Sequence, residues 1–415
     1  MSFALALKRA VLARRSGGLQ LLLMYLSQAI NAVFPLLIAP LVVRKAGVPE
    51  FGSYSLMLVA SQAALLVSEY SFDAVGPRLL AAKPRNVAES DIGRAVLRNK
   101  LALFPLALLV WISGCVMLRI EITLPAFAGG VLVLLGTALQ ANWYLVATHR
   151  AKYVAIFNLL GRLVALTLIV AALSLKLGPG WLLFGTGAGM FAAGAVVSVK
   201  TLGFQTRTSL MPSVSLLGQG RSAFLATAGA SLQNLVGVGL AGMLGGASGA
   251  GAYAATDRIA RSASGSLKPF FLTIYPRMAK MHVDSPAKAT RLAALMAAIW
   301  LIAAAPLVLA TYLWGEKLLL LLYGQPIPGA APILTILVGW LAFGVANNFL
   351  GIQGLLAGGR DRQYLHAIWS GLAMTALFAG ACLLLRLPVV DAALAVLVGE
   401  AVVFVALALK FWNMR

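Results

Sequence analysis

The residues of this chain that are best suited to chemistry lie in one segment, residues 246–277, which is about long enough to cross a bilayer. Its interior charges come from Asp257, Arg258, Arg261 and Lys268. In a helix, all of these except Arg258 fall with Ser264 at steps of four, three and four residues, so they line one face and Arg258 flanks it. A charge at the bilayer centre costs about 2.5 to 3.5 kcal/mol on insertion scales. The charged face must therefore contact water or protein.

The composition of the whole chain shows whether this segment crosses a membrane. By itself, a charged helical face could also belong to an amphipathic helix on a membrane surface, or to a soluble loop. Of the 415 residues, however, 61% are hydrophobic and only 11% are charged, and the mean hydropathy is +0.91. Soluble globular proteins do not have this composition. The chain is therefore predicted to be an all-α membrane protein that crosses the bilayer many times.

Apolar runs along the chain predict twelve transmembrane helices. Each run is near the length of about 17 to 25 residues that a bilayer requires. The first run is too long for the apolar region of a signal peptide, and no small-residue cleavage site follows it. The predicted spans are residues 19–43, 51–75, 101–119, 124–147, 153–175, 180–200, 222–245, 250–275, 292–314, 329–352, 364–386 and 389–413.

Basic residues predict the orientation of these helices, because Lys and Arg in short loops favour the cytoplasm. With the N-terminus inside, 23 of the 33 basic residues fall in segments predicted to be cytoplasmic, six fall outside and four fall within spans. Both termini are therefore predicted to be cytoplasmic. The net charge of +21 reflects this topology. Nucleic acid is not an expected partner, because the basic residues are dispersed among apolar spans.

Two parts of the chain repeat each other at a constant offset of 199 residues. The repeated residues are Gly47, Gly52, Tyr54, Pro77 and Arg78, which correspond to Gly246, Gly251, Tyr253, Pro276 and Arg277. Five matches at one offset predict two homologous six-helix bundles, residues 1–200 and 221–415, joined by a cytoplasmic linker at 201–220. Because each bundle has an even number of helices, both bundles have the same orientation in the membrane. This is the parallel-repeat arrangement of secondary transporters, which work by alternating access to a site between the repeats.

Further ionisable residues fall within predicted spans, where such residues mark functional sites by default. They are Glu69 and Asp73 near the cytoplasmic end of the second span, Arg162 in the fifth span and Glu400 in the twelfth. In an alternative interpretation, ion pairs only brace the helices. Asp257 would then neutralise Arg261, and Glu400 would pair with Arg162.

Even if both of these pairs form, Arg258 and Lys268 remain charged. The cavity between the bundles is therefore expected to be positive. A positive cavity favours an anionic substrate.

Short motifs in both halves resemble those of the bacterial polysaccharide flippases, the Wzx-like transporters of lipid-linked O-antigen and capsule repeat units. The segment Ser222–Lys280 is similar to the seventh and eighth helices of that family. Its motifs are Asn234 in an apolar span, Gly251-Ala252-Tyr253, Asp257-Arg258-Ile259 and Tyr275-Pro276-Arg277. In the first half, similar segments are Gly47 to Tyr54 and the run that contains Trp143-Tyr144, Lys152-Tyr153, Asn158 and Arg162.

The resemblance implies a fold, a substrate and a location. The fold is that of the multidrug/oligosaccharidyl-lipid/polysaccharide (MOP) exporter superfamily, in which two six-helix bundles form a MATE-like V around a cationic cavity. The substrate is an undecaprenyl-pyrophosphate-linked oligosaccharide for O-antigen, capsule or exopolysaccharide. It moves from the cytoplasmic to the periplasmic leaflet of the bacterial inner membrane. A polysaccharide polymerase or export machinery would be a partner.

Contacts to the headgroup or the glycan are expected from basic residues in and near the spans. Guanidinium and ammonium groups in a water-filled cavity can replace the hydration of a pyrophosphate. Arg78 and Arg277, at the cytoplasmic mouth, also fit ordinary positive-inside anchoring. The expected contacts are Arg258, Arg261 and Lys268, then Arg162, and then Arg78 or Arg277.

Other functions are less well supported. No Gly-x-x-x-x-Gly-Lys-Ser/Thr run is present and the three histidines are scattered, so no cofactor and no metal is expected. The short extracytoplasmic loops argue against an enzyme such as a polysaccharide polymerase or ligase. A MATE-like drug/cation antiporter is expected to have carboxylates in its cavity to bind cations, whereas the excess charge in these spans is basic. A lipid II flippase has the same chemistry but usually more helices. Coupling to a proton or sodium gradient stays open among Asp257, Glu69, Asp73, Glu400 and His366.

Overall fold

The computed structural model describes residues 33–82, 88–148, 150–202 and 213–412, whose regular structure is all helical, with no strand. The helices, numbered in chain order, are α1 (33–46), α2 (Val48–Glu69), α3 (Phe72–Ala82), α4 (Glu89–Ala102), α5 (Phe104–Met117), α6 (Leu124–Leu139), α7 (Asn142–Ala147), α8 (Ala151–Ser174), α9 (Pro179–Leu202), α10 (Ser213–Ser266), α11 (Lys268–Asp284), α12 (Pro286–Tyr323), α13 (Ala330–Asn347), α14 (Asp361–Leu385) and α15 (Asp391–Trp412). A π-helix, Asn348–Leu356, continues α13.

The described part of the chain has the helices of a multi-pass membrane protein, as the composition predicts. Nine of its helical segments are long and apolar enough to span a bilayer, or ten if the bent pair α4 and α5, which meet at 41°, is one span. The predicted first span begins outside the described residues, and half of the predicted linker at 201–220, residues 203–212, also lies outside them. The described ends of the linker are helical and belong to α9 and α10. The total of twelve spans and the cytoplasmic position of both termini stay predictions.

The longest helix, α10, contains a break at one of the repeated glycines. Gly245 and Gly246 have non-helical backbone angles, with φ of −126° and +60°. Gly246 corresponds in the repeat to Gly47, whose φ is +94° at the start of α2. Both positions need a positive φ, which glycine adopts without the steric cost of a side chain. The break divides α10 into a first arm, residues 213–244, and a second arm, residues 247–266.

The two halves of the chain meet where α2 packs along α10. At Gly52, an added methyl group would overlap the carbonyl oxygen of Ala247, and at Gly251 it would overlap the carbonyl oxygen of Val48. Gly52 and Gly251 are also a repeated pair, so each half makes the same contact with the other. We call these four residues the glycine seam. Small residues of this kind let helix backbones approach closely inside a membrane.

Polar contacts also join the halves near the start of α2, at the same end as the glycine seam. The Arg44 guanidinium, in α1, donates hydrogen bonds to the carbonyl oxygens of Leu321 and Leu322 at 3.0 and 2.8 Å. Gln325 donates to the carbonyl oxygen of Val43 at 2.6 Å. The last carbonyl groups of a helix have no partner within it, so Arg44 satisfies the end of α12 and ties it to the first half.

The remaining helices pack mainly against helices of their own half. In the first half, α6 and α8 pack against α9; in the second, α12 packs against α13 and α14 packs against α15. Two clusters of buried apolar side chains belong to one half each, and a third extends across both. The shared cluster surrounds the contact between α2 and α10, so closure of the halves also buries apolar surface.

The glycine seam predicts a sharp difference between two glycine substitutions. Gly52→Ala forces a methyl group against the Ala247 carbonyl, and overpacking of this kind costs about 1 to 3 kcal/mol. Gly380→Ala, in α14, meets nothing within 4 Å and should be neutral or stabilising, because alanine is the better helix former. Thermal unfolding of both variants in the same detergent checks this. Equal melting temperatures would show that the halves do not depend on close approach at Gly52.

Candidate functional site

A cavity of about 400 Å³ lies between α2 and the two arms of α10. We call it the central cavity. Its α2 wall runs from Ser55 to Glu69, and residues 231–238 of the first arm and 254–261 of the second arm form the opposite wall. The charged face of the second arm thus looks onto space between protein helices. The charged residues that line the cavity are Glu69, Asp257, Arg258 and Arg261.

Arg261 is held by three hydrogen bonds and one aromatic ring. Its Nε donates to Asp257 Oδ2 at 2.6 Å, one helical turn away. Its Nη1 and Nη2 donate to the side-chain and backbone oxygens of Asn234, at 2.9 and 2.8 Å, and its guanidinium lies 5.5 Å from the centre of the Trp340 ring. The Asp257 side chain is only 7% exposed, so Arg261 compensates a carboxylate that has left water. The two charges neutralise each other, and Arg261 ties the second arm to the first.

Arg258 lies beside this ion pair and is not neutralised by it. It is half-buried, and within the described ranges it takes part in no ion pair. The positive charges of Arg258 and Arg162 repel each other, and both act on the hydroxyl group of Tyr54. Two like charges that repel each other are both stabilised when an anion binds near them. The positive character of the site therefore centres on Arg258.

Arg162 approaches the same region from the first half, on α8. It lines a smaller cavity, of about 160 Å³, with Asn158 and Thr186. Its guanidinium lies 4.6 Å from the centre of the Phe34 ring, which is a cation–π contact with α1. Thr186 also shares a hydrogen bond of 2.8 Å with the Tyr54 hydroxyl. Tyr54 thus contacts the smaller cavity through Thr186 and also lies within the electrostatic field of Arg258. Charges from both halves therefore act at the Tyr54 hydroxyl group.

The Glu69 end of the central cavity holds a buried lysine that the sequence interpretation missed. Lys100 is 2% exposed, and its Nζ lies 3.5 Å from Asp73 Oδ1; the charges of both residues act on Glu69. Lys100 is one of the 23 basic residues that the sequence predicts to be cytoplasmic, and that prediction gives no sign of its burial. A signal for its burial was present, because Ile92 and Val96, which are buried, precede it at steps of four and define one face of α4.

Helix α2 ends at Glu69, and the turn that follows it closes the same end of the cavity. Tyr70 and Ser71 both have a positive φ, of 40° and 57°, which costs non-glycine residues free energy. The Tyr70 ring stacks on Phe224 of the first arm of α10, with ring centroids 4.7 Å apart. We call this contact the inner stack. The central cavity thus has contacts between the halves at both ends, the glycine seam and the inner stack.

Glu400 lies in the second half and does not pair with Arg162, so the partner that the bracing interpretation gave it was wrong. Asn347 donates to Glu400 Oε1 at 2.9 Å, and Gln233 donates to Oε2 at 3.4 Å. The reason is that α15, which carries Glu400, packs on α13 and α14 of its own half. Amide donors surround the carboxylate there in place of water. Across the described ranges, no three His, Cys, Asp or Glu residues are grouped as a metal site.

The other predicted site residues lie outside the lining of the central cavity. Lys268 does not share a helix with Arg261, because α10 ends at Ser266 and α11 starts at Lys268, just before Pro269. Lys268, Arg78 and Arg277 are all exposed. The lining itself holds two carboxylates and two guanidinium groups. The lining as a whole is therefore balanced in charge, in contrast to the positive cavity that the sequence predicts. After Asp257 and Arg261 have paired, Glu69 and Arg258 remain, and only the region around Arg258 is positive.

The chain has relatives of known description. The family described as polysaccharide biosynthesis protein matches residues 20–282, a stretch that contains every charged residue of the central cavity. A protein of Shigella dysenteriae named "Putative O-antigen transporter" is 23% identical over 339 residues, which are 77% of this chain and 85% of that protein.

Two solved transporters share the fold. The lipid II flippase MurJ, in an inward closed conformation, aligns with a TM-score of 0.69 and 12% identity over 94% of this chain and 87% of its own. The inward-facing conformation of a multidrug resistance MATE family transporter of the MOP superfamily aligns with a TM-score of 0.66 and 14% identity, over 92% and 95%. Identities this low establish the fold alone, and it is the MOP fold that the motifs implied.

The Asp257–Arg261 ion pair predicts strong coupling in a double-mutant cycle. Arg261→Gln leaves Asp257 buried without its cation, and breaking a buried pair typically costs about 3 to 5 kcal/mol. Adding Asp257→Asn to Arg261→Gln removes both charges and should recover most of that loss. Thermal unfolding of the wild type, the two single variants and the double variant measures the coupling. Losses that simply add would contradict a direct interaction.

Proposed function

This chain belongs to the family of polysaccharide biosynthesis proteins, and on that premise we propose that it is a flippase for lipid-linked oligosaccharides. It moves undecaprenyl-pyrophosphate-linked repeat units of O-antigen, capsule or exopolysaccharide from the cytoplasmic to the periplasmic leaflet of a bacterial inner membrane. The family, the relative named for O-antigen transport and the fold shared with a lipid II flippase support this class of function.

One observation carries the proposal for the headgroup: Arg258 lines a cavity between the halves without an ion-pair partner in the described chain. A pyrophosphate cannot enter hydrocarbon unaided, and guanidinium groups bind phosphate oxygens through paired N–H donors. A pyrophosphate bound at Arg258 and Arg162 would remove the repulsion between these two cations. The prenyl chain is apolar and stays in the lipid.

The remaining basic residues take lesser roles in this proposal. Arg261 uses three of its five N–H donors on Asp257 and Asn234, so two remain for the cargo. Its fixed position makes it a rigid edge of the headgroup site. The exposed residues Lys268, Arg78 and Arg277 contact the headgroup at the mouth, before it enters the central cavity.

Transport in this proposal alternates between the two contacts that close the central cavity. The inner stack opens to admit cargo from the cytoplasm, and the glycine seam opens to release it to the periplasm. A proton or a sodium ion couples the two movements. The proposed binding positions for that ion are the carboxylates Glu69, Asp73, Asp257 and Glu400, with His366 as a further proton site.

The proposal is tested first by lipid analysis of a strain that lacks this protein. Undecaprenyl-pyrophosphate-linked oligosaccharide should accumulate while surface polysaccharide falls, because cargo that cannot cross stays on the leaflet where it is made. The wild-type gene should reverse both changes. Normal surface glycan without accumulation, together with a new sensitivity to cationic dyes, would place the chain instead with the drug/cation antiporters of the same fold.

The role of Arg258 is tested by substitution in the complemented strain. Arg258→Ala should lower transport by roughly tenfold or more, because a hydrogen bond between charged groups contributes about 1.5 to 3 kcal/mol. Arg258→Glu should be worse, since it repels the pyrophosphate, and Arg258→Lys should be milder. Arg291→Ala removes an exposed arginine of α12 and is the matched control. If Arg258→Ala and Arg291→Ala transport equally at equal membrane abundance, Arg258 does not bind the headgroup.

A further inference from the structure

A cavity of about 1160 Å³ lies at the end of α2 that is opposite Glu69. Its walls are the first turns of α2, the turns between α5 and α6 and between α8 and α9, the end of the first arm of α10, and the end of α14. We call it the outer vestibule. Sites for small molecules usually enclose about 300 to 1,000 Å³, so this space fits a larger ligand, such as a chain of several sugars.

The outer vestibule follows the central cavity along the same helix. Residues from Glu50 to Met57 face the vestibule, whereas residues from Ser55 to Glu69 face the central cavity. Ala247 belongs both to the vestibule wall and to the glycine seam. Cargo that passes the opened seam would therefore meet the vestibule next.

The two linings carry the same number of charges but arrange them differently. Four charged residues line the vestibule, and they are balanced in sign: Glu50, Arg119, Glu121 and Arg386. In the central cavity Asp257 and Arg261 pair with each other, whereas in the described part of the chain none of the four vestibule residues forms an ion pair. Carboxylates and guanidinium groups that are not engaged with each other offer acceptors and donors for hydroxyl groups.

Two side chains of the vestibule point to a sugar in particular. The Oε2 atom of Glu50 is buried and has no hydrogen-bond partner, and a buried carboxylate oxygen without a donor is costly. A sugar hydroxyl supplies such a donor. Trp181 is 41% exposed and is held edge-on by Phe184, with ring centroids 5.5 Å apart. Its rigid apolar face is a platform for the C–H face of a sugar ring.

We propose that the outer vestibule binds the oligosaccharide part of the cargo through Glu50, Trp181 and the charged residues around them, after the headgroup has left Arg258. This inference rests on the proposed flippase function and adds a second site to it. The central cavity recognises the pyrophosphate, and the outer vestibule recognises sugar. Retention of the glycan there disfavours its return through the glycine seam.

The test uses two cysteine reporters in the full-length protein, after the buried Cys115 and Cys382 have been replaced by alanine. Gly178→Cys reports on the vestibule, because Gly178 lines it and an added side chain meets nothing within 4 Å. Ser231→Cys reports on the central cavity. Each is labelled in nanodiscs with a maleimide, in the presence of either free oligosaccharide cleaved from the surface polysaccharide of the source organism or inorganic pyrophosphate.

We expect a crossed pattern of protection. At about ten times its dissociation constant, the oligosaccharide should slow labelling of Gly178→Cys roughly tenfold and leave Ser231→Cys unaffected, and pyrophosphate should do the reverse. Glu50→Gln or Trp181→Ala should each raise the half-protecting sugar concentration roughly threefold to tenfold, the range expected for one hydrogen bond or aromatic contact. Trp314→Ala, which removes an exposed tryptophan of α12, is the control and should not.

The two proposals fail in different ways. If pyrophosphate protects Ser231→Cys but the oligosaccharide does not protect Gly178→Cys, the vestibule proposal is wrong and the headgroup proposal stands. Sugar protection that survives both Glu50→Gln and Trp181→Ala would also overturn the vestibule site. If the deletion strain accumulates no lipid-linked oligosaccharide, the flippase function itself is wrong, whatever the labelling shows.

Discussion

The cost of placing a charge in hydrocarbon is the constraint on which the rest of this structure depends. The second arm of α10 carries three adjacent charges within one and a half turns, so it can be stable only where protein and water replace lipid. Asp257 and Arg261 meet this constraint by pairing, and Asn234 and Trp340 complete the shell around them. Because Asn234 belongs to the first arm, compensation of the charges also fixes the angle between the two arms. Arg258 is left facing the cavity that this arrangement opens.

The repeated glycines allow the backbones of the two halves to come into contact. Gly47 and Gly246 turn the chain into α2 and into the second arm of α10, and Gly52 and Gly251 let these helices touch. Since the four residues are two pairs from one repeat, the contact between the halves is self-complementary, like the interface of a symmetric dimer. At Gly52 and Gly251 no side chain separates the two backbones, so each glycine lies directly against a carbonyl group of the other helix.

Much of this fold could be predicted from sequence because its determinants are local. Composition predicts the spans, and a period of four predicts that Arg261 faces Asp257, as the ion pair confirms. The partners of Glu400 could not be predicted in this way, because Asn347 and Gln233 are 53 and 167 residues away in the chain and only helix packing brings them near. Lys268 illustrates a different limit, since one turn residue before Lys268-Pro269 ends α10, and Lys268 does not line the cavity that Arg261 lines.

The inner stack alone does not compensate the backbone strain beside it. Tyr70 and Ser71 adopt left-handed angles, which cost about 1 to 2 kcal/mol per residue when a side chain is present, and therefore about 2 to 4 kcal/mol for the two. The stacked rings of Tyr70 and Phe224 return only about 0.5 to 1.5 kcal/mol. Packing of the neighbouring residues must therefore supply the rest, and Phe72, which follows Ser71, is fully buried. A substitution that loosens this packing would weaken the closure even with both rings in place.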